Sequence, residues 1–205
     1  MSRGSAKLTE TRRKEILQAC ESIYAEKNYK DITLKEIADA TSITRTAMYT
    51  WYRTKEEIFM HLLAAEHERW NKSLREILAA QIETKEELAG MIASSLDNRL
   101  YLLKLMSMNV FELEENSRYE RVVEYKIALG DSMKLMRRII TVFCPEKTEQ
   151  ETEEFIYAVF PMIFGLYPYS VINEKAQKAM EEAGVDFHYY SIHELAYRGI
   201  LQLLR

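Results

Sequence analysis

The sequence contains few of the residues that interrupt helices. Its 205 residues include only 6 glycines and 3 prolines. An all-β domain needs a turn about every 8–12 residues, and turns draw on Gly, Pro, Asn and Asp. Because turn-forming residues are so scarce, the composition argues against a sandwich or a barrel and predicts long helices. The length allows one large domain, or a small domain joined to a medium one.

Cysteines and reactive motifs are also scarce. Cys20 and Cys144 lie in helical apolar patterns, so we expect two buried, reduced thiols in a cytoplasmic protein. No C-x-x-C pair, G-x-S-x-G motif or phosphate-binding glycine loop occurs. The spacing of the histidines does not favour two ligands on one helix face, which leaves a zinc site as the minor alternative: His61, His67, His188 and His193. We expect no metal, no cofactor and no enzymatic activity.

Charge is distributed unevenly along the chain. The net charge of -4 at pH 7 argues, taken whole, against a nucleic-acid partner. However, residues 1–55 carry 11 Lys and Arg against 7 Asp and Glu, whereas residues 56–205 carry 17 against 25. Only the first part should therefore approach phosphate. No stretch approaches 18 uncharged apolar residues, and no apolar segment follows the polar start, so we expect neither a membrane span nor a signal peptide.

The first part of the chain resolves into short helices. The apolar period predicts a helix over about residues 9–27, and capping-box sequences open further helices at Thr33 and Thr54. Thr44 is a suitable N-cap for a short helix, Arg45–Trp51. Two short helices joined by a tight turn form a helix-turn-helix. The pattern alone leaves two interpretations open, a DNA reader or a compact three-helix cap with a solvated face.

The region 9–63 resembles the DNA-binding region of TetR-type (tetracycline-repressor-like) transcriptional regulators. The residues that carry the resemblance keep the family's spacing throughout: Arg13, Ile16-Leu17-Gln18-Ala19-Cys20, Asn28-Tyr29, Thr33-Leu34-Lys35-Glu36-Ile37-Ala38 and Ala47-Met48-Tyr49-Thr50-Trp51-Tyr52-Arg53-Thr54-Lys55-Glu56-Glu57-Ile58. Asn28 and Ser42 stand where the family usually has glycine, Tyr52 replaces a Phe, and Trp51 replaces a Tyr or His.

The resemblance implies that the short third helix reads operator DNA. The predicted DNA-binding residues are Thr33, Thr44, Arg45, Thr46, Tyr49, Thr50, Trp51 and Lys55. Thr33 and Lys55, at helix N-termini, would hold backbone phosphates. Tyr49 would contact a phosphate through its hydroxyl, the alternative being a half-buried core tyrosine. Arg45 and the threonines on either side would face base edges, with Arg45 the candidate for a guanine.

Beyond residue 56 the pattern predicts only helices, over about residues 84–108, 110–115, 118–143, 148–172, 174–183 and 187–204. A helix from about residue 55 to 82 would span roughly 40 Å and join two subdomains. We therefore predict an all-α protein. A three-helix DNA-binding domain with a helix-turn-helix occupies residues 1–55, and a larger helical ligand-binding and dimerisation domain occupies 56–205.

Two helices of the second domain carry apolar residues on more than one face. The segment Phe155–Ile172 is apolar on nearly every side, so the helix must be covered all round. We predict that it forms a four-helix bundle with the last helix and the same pair of a second chain, as the resemblance also implies. The alternative is a monomer with both helices in its core. The predicted interface residues are Phe160, Ile163, Gly165, Leu195, Gly199 and Ile200.

The same domain is rich in aromatic and methionine side chains, which suit an apolar ligand. The resemblance implies a small-molecule effector bound there. The predicted pocket residues are Trp70, Tyr101, Phe111, Tyr119, Tyr125, Met136, Phe160 and Tyr167, each of which is also a candidate for plain core. Glu112, Glu114 and Glu115 either favour a cationic ligand or form a solvated loop.

The resulting hypothesis is a cytoplasmic, homodimeric transcriptional regulator, a repressor that a small molecule releases from double-stranded operator DNA. Two alternatives from other classes remain. One is a helical ligand-binding protein or enzyme with a vestigial helix-turn-helix. The other is a protein–protein adaptor that uses the short third helix as its contact face.

Overall fold

Helices form throughout the chain. The computed structural model describes the backbone of residues 3–205 and the side chains of residues 10–205, so Met1 and Ser2 of the predicted first domain lie outside the described residues. Within that range the chain forms eleven α-helices, one 3-10 turn at Tyr29–Asp31 and no strand. The prediction of an all-α fold is confirmed. The helices are α1 (Arg3–Glu26), α2 (Leu34–Asp39), α3 (Arg45–Trp51), α4 (Lys55–Leu78), α5 (Lys85–Asp97), α6 (Leu100–Met106), α7 (Val110–Glu115), α8 (Tyr119–Phe143), α9 (Glu149–Ser170), α10 (Glu174–Glu182) and α11 (Ile192–Leu204).

Local capping signals set most helix boundaries. Thr33, Thr84 and Thr148 are N-caps whose side chains accept from the backbone N–H three residues later, a contact that contributes about 1 kcal/mol. At Thr84 and Thr148 the reciprocal half of the capping box also forms. After α10, Gly184 adopts a φ of 66°, the left-handed conformation that ends a helix in a Schellman motif.

Two of the differences from the predicted helices have a clear local cause. The single helix predicted over residues 84–108 is wrong, because Arg99 leaves the helical region (φ -130°, ψ 46°) and separates α5 from α6. The apolar period continues across this break and does not reveal it. The last helix begins at Ile192 rather than near residue 187, because Ser191 forms a full capping box with Glu194.

The chain divides into two units, Met1–Ala65 with Asn109–Ile127 and Glu66–Met108 with Ala128–Arg205. Helices α4 and α8 each contain residues of both units. The division differs from the sequence-based boundary at residue 55, because the segment from α7 into α8 groups with the N-terminal helices. Side chains of this segment bond groups of the N-terminal helices; Arg118, for example, donates to the carbonyl of Trp51 at the end of α3.

The first unit has a small core made by α1 to α3 and the start of α4. Its fully buried side chains include Ile16, Ile37 and Met48. Each fully buried aliphatic side chain contributes about 1.5–3 kcal/mol. Phe59 lies at the centre of an aromatic group, with its ring centroid 5.1 Å from that of Tyr24 in an edge-on arrangement.

In the second unit α11 packs mainly against α5 and also against α9. One face of α9 is buried within the chain, at Thr152, Phe155, Ile156, Val159, Phe160, Ile163 and Leu166. Among the described residues no single helix is long and apolar enough to cross a membrane. The pair α9 and α10 reaches that length and composition only jointly, and it bends by 86° at its break.

A polar network lies inside this unit. Ser132 Oγ is 2.9 Å from His67 Nδ1 and donates to Asn71 Oδ1 at 2.7 Å. All three residues are buried. Burial lowers the pKa of His67 from 6.5 to about 4, so the imidazole is neutral at pH 7. The neighbouring Trp70 donates its indole N–H to Ser95 Oγ at 3.0 Å.

Acidification should therefore destabilise the protein through His67. Between pH 6.5 and pH 4 the unfolded chain binds a proton that the folded chain excludes, so unfolding becomes easier as pH falls. This group alone should lower the free energy of unfolding by about 3 kcal/mol over that interval. Denaturant titrations of wild type and His67→Gln across the interval measure the difference. The exposed-site control His188→Gln should follow wild type, and an unchanged pH slope in His67→Gln would contradict the expectation.

Candidate functional site

Helix α3 presents a polar, exposed face. Its N-cap Thr44 accepts from the N–H of Ala47 at 3.3 Å, which fixes the first turn. Met48 points into the core and anchors the helix from beneath. The opposite face is exposed and carries the side chains of Arg45, Thr46, Tyr49 and Thr50. Tyr49 is 56% exposed, so its ring is not part of the core. This face can donate several hydrogen bonds to one surface.

The turn between α2 and α3 is fixed by a carboxylate from α1. Ser42 donates its backbone N–H to Glu15 Oε1 at 2.5 Å and its hydroxyl to Glu15 Oε2 at 3.0 Å. These two bonds lower the pKa of Glu15. Among the described residues no non-glycine residue has a positive φ, so the turn forms with Ser42 and without a left-handed residue. No local pattern in the sequence indicates this contact, because Glu15 lies 27 residues earlier.

Arg45 is held by the last residue of α2. Its Nε donates to Asp39 Oδ1 at 3.0 Å, and its Nη2 lies 2.7 Å from Oδ1 and 2.8 Å from Oδ2. Both side chains are about half exposed. The guanidinium of the predicted guanine reader is thus oriented before any nucleic acid is present.

Lys55 stabilises the structure of the same unit. Its Nζ donates to the carbonyl oxygens of Tyr29 at 2.8 Å and Ile32 at 2.9 Å and lies 4.2 Å from the centroid of the Tyr29 ring. A phosphate contact by this ammonium would have to replace those bonds. Thr33, in contrast to Lys55, is an exposed N-cap, so a phosphate can approach it directly.

Arginine side chains cap the C-terminal end of α3. The carbonyl of Trp51 accepts from Arg118 Nη2 at 2.7 Å and from Arg121 Nη2 at 3.4 Å. Helix C-terminal carbonyls lack intrahelical donors, so a guanidinium there satisfies the carbonyl and complements the helix dipole. Trp51 itself is half-buried, which distinguishes it from the exposed members of the predicted surface.

The Arg118 side chain also pairs with a buried carboxylate. Glu57 in the first turn of α4 is 1% exposed and accepts from Arg118 Nε at 2.6 Å and Nη2 at 2.8 Å. The backbone N–H groups of Arg53 and Arg118 also donate to this carboxylate, at 2.9 and 3.2 Å. Burial would raise the pKa of Glu57, but these hydrogen bonds outweigh it and lower the pKa. The carboxylate is therefore ionised and fully bonded.

The predicted pocket residues are divided between the two units. Phe111 and Tyr119 are 80% and 78% exposed and, with Tyr125, belong to the first unit. The other five belong to the second unit. Trp70 and Phe160 are buried and their ring centroids lie 6.0 Å apart.

An open cleft of about 580 Å³ lies in the second unit between the end of α4 and α5. Its apolar walls are Ile77, Ile82 and Met91, and its polar lining consists of Ser73, Glu76, Gln81, Glu87, Ser94, Ser95 and Asn98. Ser95 is the acceptor of the Trp70 indole, so the cleft floor adjoins the buried aromatic residues. Gly90 also lines the cleft, and a Cβ built on it meets no atom within 4 Å.

The predicted interface residues fall into two sets. Phe160, Ile163 and Ile200 are buried within the chain. Gly165, Leu195 and Gly199 line an open apolar groove of about 410 Å³ between α9 and α11. Its remaining lining residues are Pro161, Met162, Leu166, Tyr169 and Arg198.

The histidines and cysteines show no arrangement for a metal in the part of the chain that the structure describes, where no group of three potential ligands is found. His61 Nδ1 is 2.5 Å from the Tyr52 hydroxyl. Burial, and then the nearby charge of Arg121, lower the pKa of His61. Cys20 and Cys144 are free and buried.

Comparisons with known proteins agree on one family. The family model described as Tetracyclin repressor-like, C-terminal domain matches residues 64–204. A TetR/AcrR-family transcriptional regulator from Thermobifida fusca has a TM-score of 0.64 and 18% identity, covering 95% of this chain and 97% of that one. The fatty acid degradation regulator FadR from Bacillus halodurans has a TM-score of 0.62 and 16% identity, covering 94% of each. FadR from Bacillus subtilis in complex with stearoyl-CoA has a TM-score of 0.61 and 16% identity, covering 93% and 96%. No curated protein sequence matches significantly.

Removing Arg118 should destabilise the fold strongly. Arg118→Ala leaves the buried Glu57 carboxylate without its counter-charge, which should lower the free energy of unfolding by about 3–5 kcal/mol. Denaturant titration at pH 7 measures this loss. The double variant Arg118→Ala, Glu57→Leu should recover part of it, because an apolar pair avoids the cost of burying charge. The exposed-site control Arg138→Ala should change the value by less than about 0.5 kcal/mol. A similarly small effect of Arg118→Ala would contradict the assigned role.

Proposed function

The chain belongs to the tetracyclin repressor-like family of transcriptional regulators, and we propose that it is a dimeric repressor that a small molecule releases from its operator. The observation that carries the proposal is the exposed α3 face, which is anchored at both ends. Glu15 fixes the turn before α3, and Arg118 caps its last carbonyl. An α-helix fits the major groove and reads base edges with side chains near its N-terminus. We place its action in the cytoplasm.

The proposed surface is the set predicted from the sequence. Arg45 and the flanking threonines face base edges, while Thr33 and Tyr49 contact phosphates. Trp51 contributes through its ring at the helix end, and Lys55 acts chiefly by holding the loop before α2 against α4. This division follows from exposure, since the base-reading residues are exposed and the Lys55 ammonium is bonded to carbonyl oxygens.

A second copy of the chain is the proposed occupant of the groove between α9 and α11. The groove is almost entirely apolar, and the lining side chain of Tyr169 is 62% exposed. Covering such a surface with the same surface of another chain gives a two-fold dimer. Two recognition helices would then read half-sites about 34–36 Å apart, one turn of DNA.

Effector release is proposed to run through the two helices that contain residues of both units. Glu57 lies in the first turn of α4, and Arg118 immediately precedes α8. A ligand that binds better to one arrangement of these helices in the second unit shifts the population of that arrangement. Because Glu57 and Arg118 hold the end of α3, such a shift changes the position of the reading face.

The cleft between α4 and α5 is the proposed effector site. Its apolar walls and the carboxylate of Glu76 favour a ligand with an apolar body and a neutral or cationic polar group. FadR from Bacillus subtilis was solved with stearoyl-CoA, whose phosphates carry several negative charges. The acidic lining of this cleft disfavours such a polyanion, so we propose a different ligand class here.

Selection of bound DNA from a random pool tests the proposed function. Wild type should enrich a two-fold symmetric sequence, and raising the salt concentration should weaken its binding. Arg45→Ala should lose about ten-fold or more affinity for that sequence, because a bidentate guanine contact contributes about 1–3 kcal/mol of discrimination. Its non-specific affinity should fall much less. Binding isotherms on the selected and on scrambled DNA separate the two effects.

Asp186→Ala is the control, because this exposed residue lies far along the sequence from the reader and should leave both affinities unchanged. A dimer that enriches no sequence and shows no salt-sensitive DNA affinity would overturn the proposal. That result would favour a ligand-binding protein with a vestigial helix-turn-helix. An Arg45 effect on a protein partner instead of DNA would favour an adaptor.

Filling the cleft should abolish effector binding. Gly90→Phe places a ring in open space within α5, so the fold should tolerate it while the cleft closes. Decylamine, an apolar chain with a cationic end, should raise the melting temperature of wild type but not of Gly90→Phe. Stearoyl-CoA should raise the melting temperature of wild type less than decylamine does.

The matched control is Gly130→Phe in α8. A Cβ there also meets no atom within 4 Å, and Gly130 does not line the cleft. Gly130→Phe should respond to decylamine as wild type does. Stabilisation by stearoyl-CoA that Gly90→Phe leaves intact would place the effector elsewhere and contradict this part of the proposal.

A further inference from the structure

The ion pair between α2 and α3 points to a specificity-determining role for Asp39, which is not among the predicted DNA-binding residues. We propose that Asp39 positions Arg45 to read a guanine. It also weakens binding to DNA sites at which Arg45 does not face a guanine. The inference rests on the proposed DNA binding and adds to it the residue that sets its selectivity. Asp39 does not itself need to touch a base.

The geometry leaves one edge of the guanidinium available. Asp39 occupies the side formed by Nε and Nη2, with distances of 3.0, 2.7 and 2.8 Å. Among the described side chains no other group bonds this guanidinium, so Nη1 and the second hydrogen of Nη2 remain free to donate. That end-on pair of donors matches the O6 and N7 acceptors of guanine.

Helix stability does not explain the pair. Asp39 is the last residue of α2, where the helix dipole disfavours a negative charge, and Arg45 is the first residue of α3, where it disfavours a positive one. Side chains exposed by 50% and 53% also gain little from an ion pair in water. Both charges therefore stand at unfavourable helix ends, adjacent to the proposed reading face.

The arrangement has two consequences for recognition. A long arginine side chain loses less rotational freedom on binding when a carboxylate already holds it, so the guanine contact costs less to form. The same carboxylate repels phosphate wherever Arg45 does not find its base. The affinity for correct sites therefore rises and the affinity for incorrect sites falls, which increases the difference between the two.

Selection from a random pool with Asp39→Ala provides the test. The variant should still fold, since only an exposed pair is lost. Discrimination for guanine at the base pair assigned to Arg45 should fall about ten-fold, and non-specific affinity should rise. Preferences at the other positions should be retained. In the Arg45→Ala background, Asp39→Ala should cause no further loss of discrimination, because the residue acts through Arg45.

Asp31→Ala is the matched control, since it removes the same charge from an exposed site of the same unit. It should leave the base preferences unchanged. If Asp39→Ala keeps full guanine discrimination, Asp39 forms a surface ion pair only and the inference fails. If the variant binds its operator more tightly with unchanged preferences, Asp39 competes with DNA for Arg45, which also overturns it. Failure of wild type to enrich any sequence would instead defeat the proposed function itself.

Discussion

The buried carboxylate of Glu57 is the constraint on which the first unit depends. An ionised group with 1% exposure is tolerable only with a counter-charge and a full set of donors. Arg118 supplies the charge, and backbone N–H groups supply further donors. Because the same guanidinium also bonds the Trp51 carbonyl, satisfying Glu57 fixes the end of α3. The need to neutralise one buried carboxylate thereby joins the first turn of α4, the start of α8 and the end of α3.

Local signals in the sequence predicted the helices but could not predict this pair. An N-cap such as Thr44 is readable because its partner lies three residues away. Glu57 and Arg118 are 61 residues apart, and Glu15 lies 27 residues before the turn that it holds. Hydrophobic periodicity describes neighbours within one helix or strand, so it cannot indicate contacts between residues so far apart in the sequence. The pocket prediction had the same weakness, since composition identifies an aromatic residue such as Phe111 but not the direction in which it points, and that ring is exposed.

The two glycines predicted at the interface have different surroundings within the chain. A Cβ on Gly199 would overlap the sulfur of Met162, so the Met162 side chain of α9 lies directly against this glycine of α11 within one chain. A Cβ on Gly165 meets nothing, and this glycine lies open in the apolar groove. Small residues on apolar helices indicate close packing, but the sequence does not say whether the packing is within the chain or between chains.

Three cations of the first unit are bonded to local partners. Lys55 bonds carbonyl oxygens, Arg45 pairs with Asp39, and Arg118 pairs with Glu57. The excess of 11 basic over 7 acidic residues in positions 1–55 therefore overstates the number of cations free to meet phosphates. Each phosphate neutralised contributes about 0.9 to the salt slope of B-DNA binding, so each cation held by a local partner reduces the non-specific attraction. The proposed reader must obtain its selectivity from oriented donors such as the Arg45 guanidinium, because attraction between cations and phosphates does not distinguish one sequence from another.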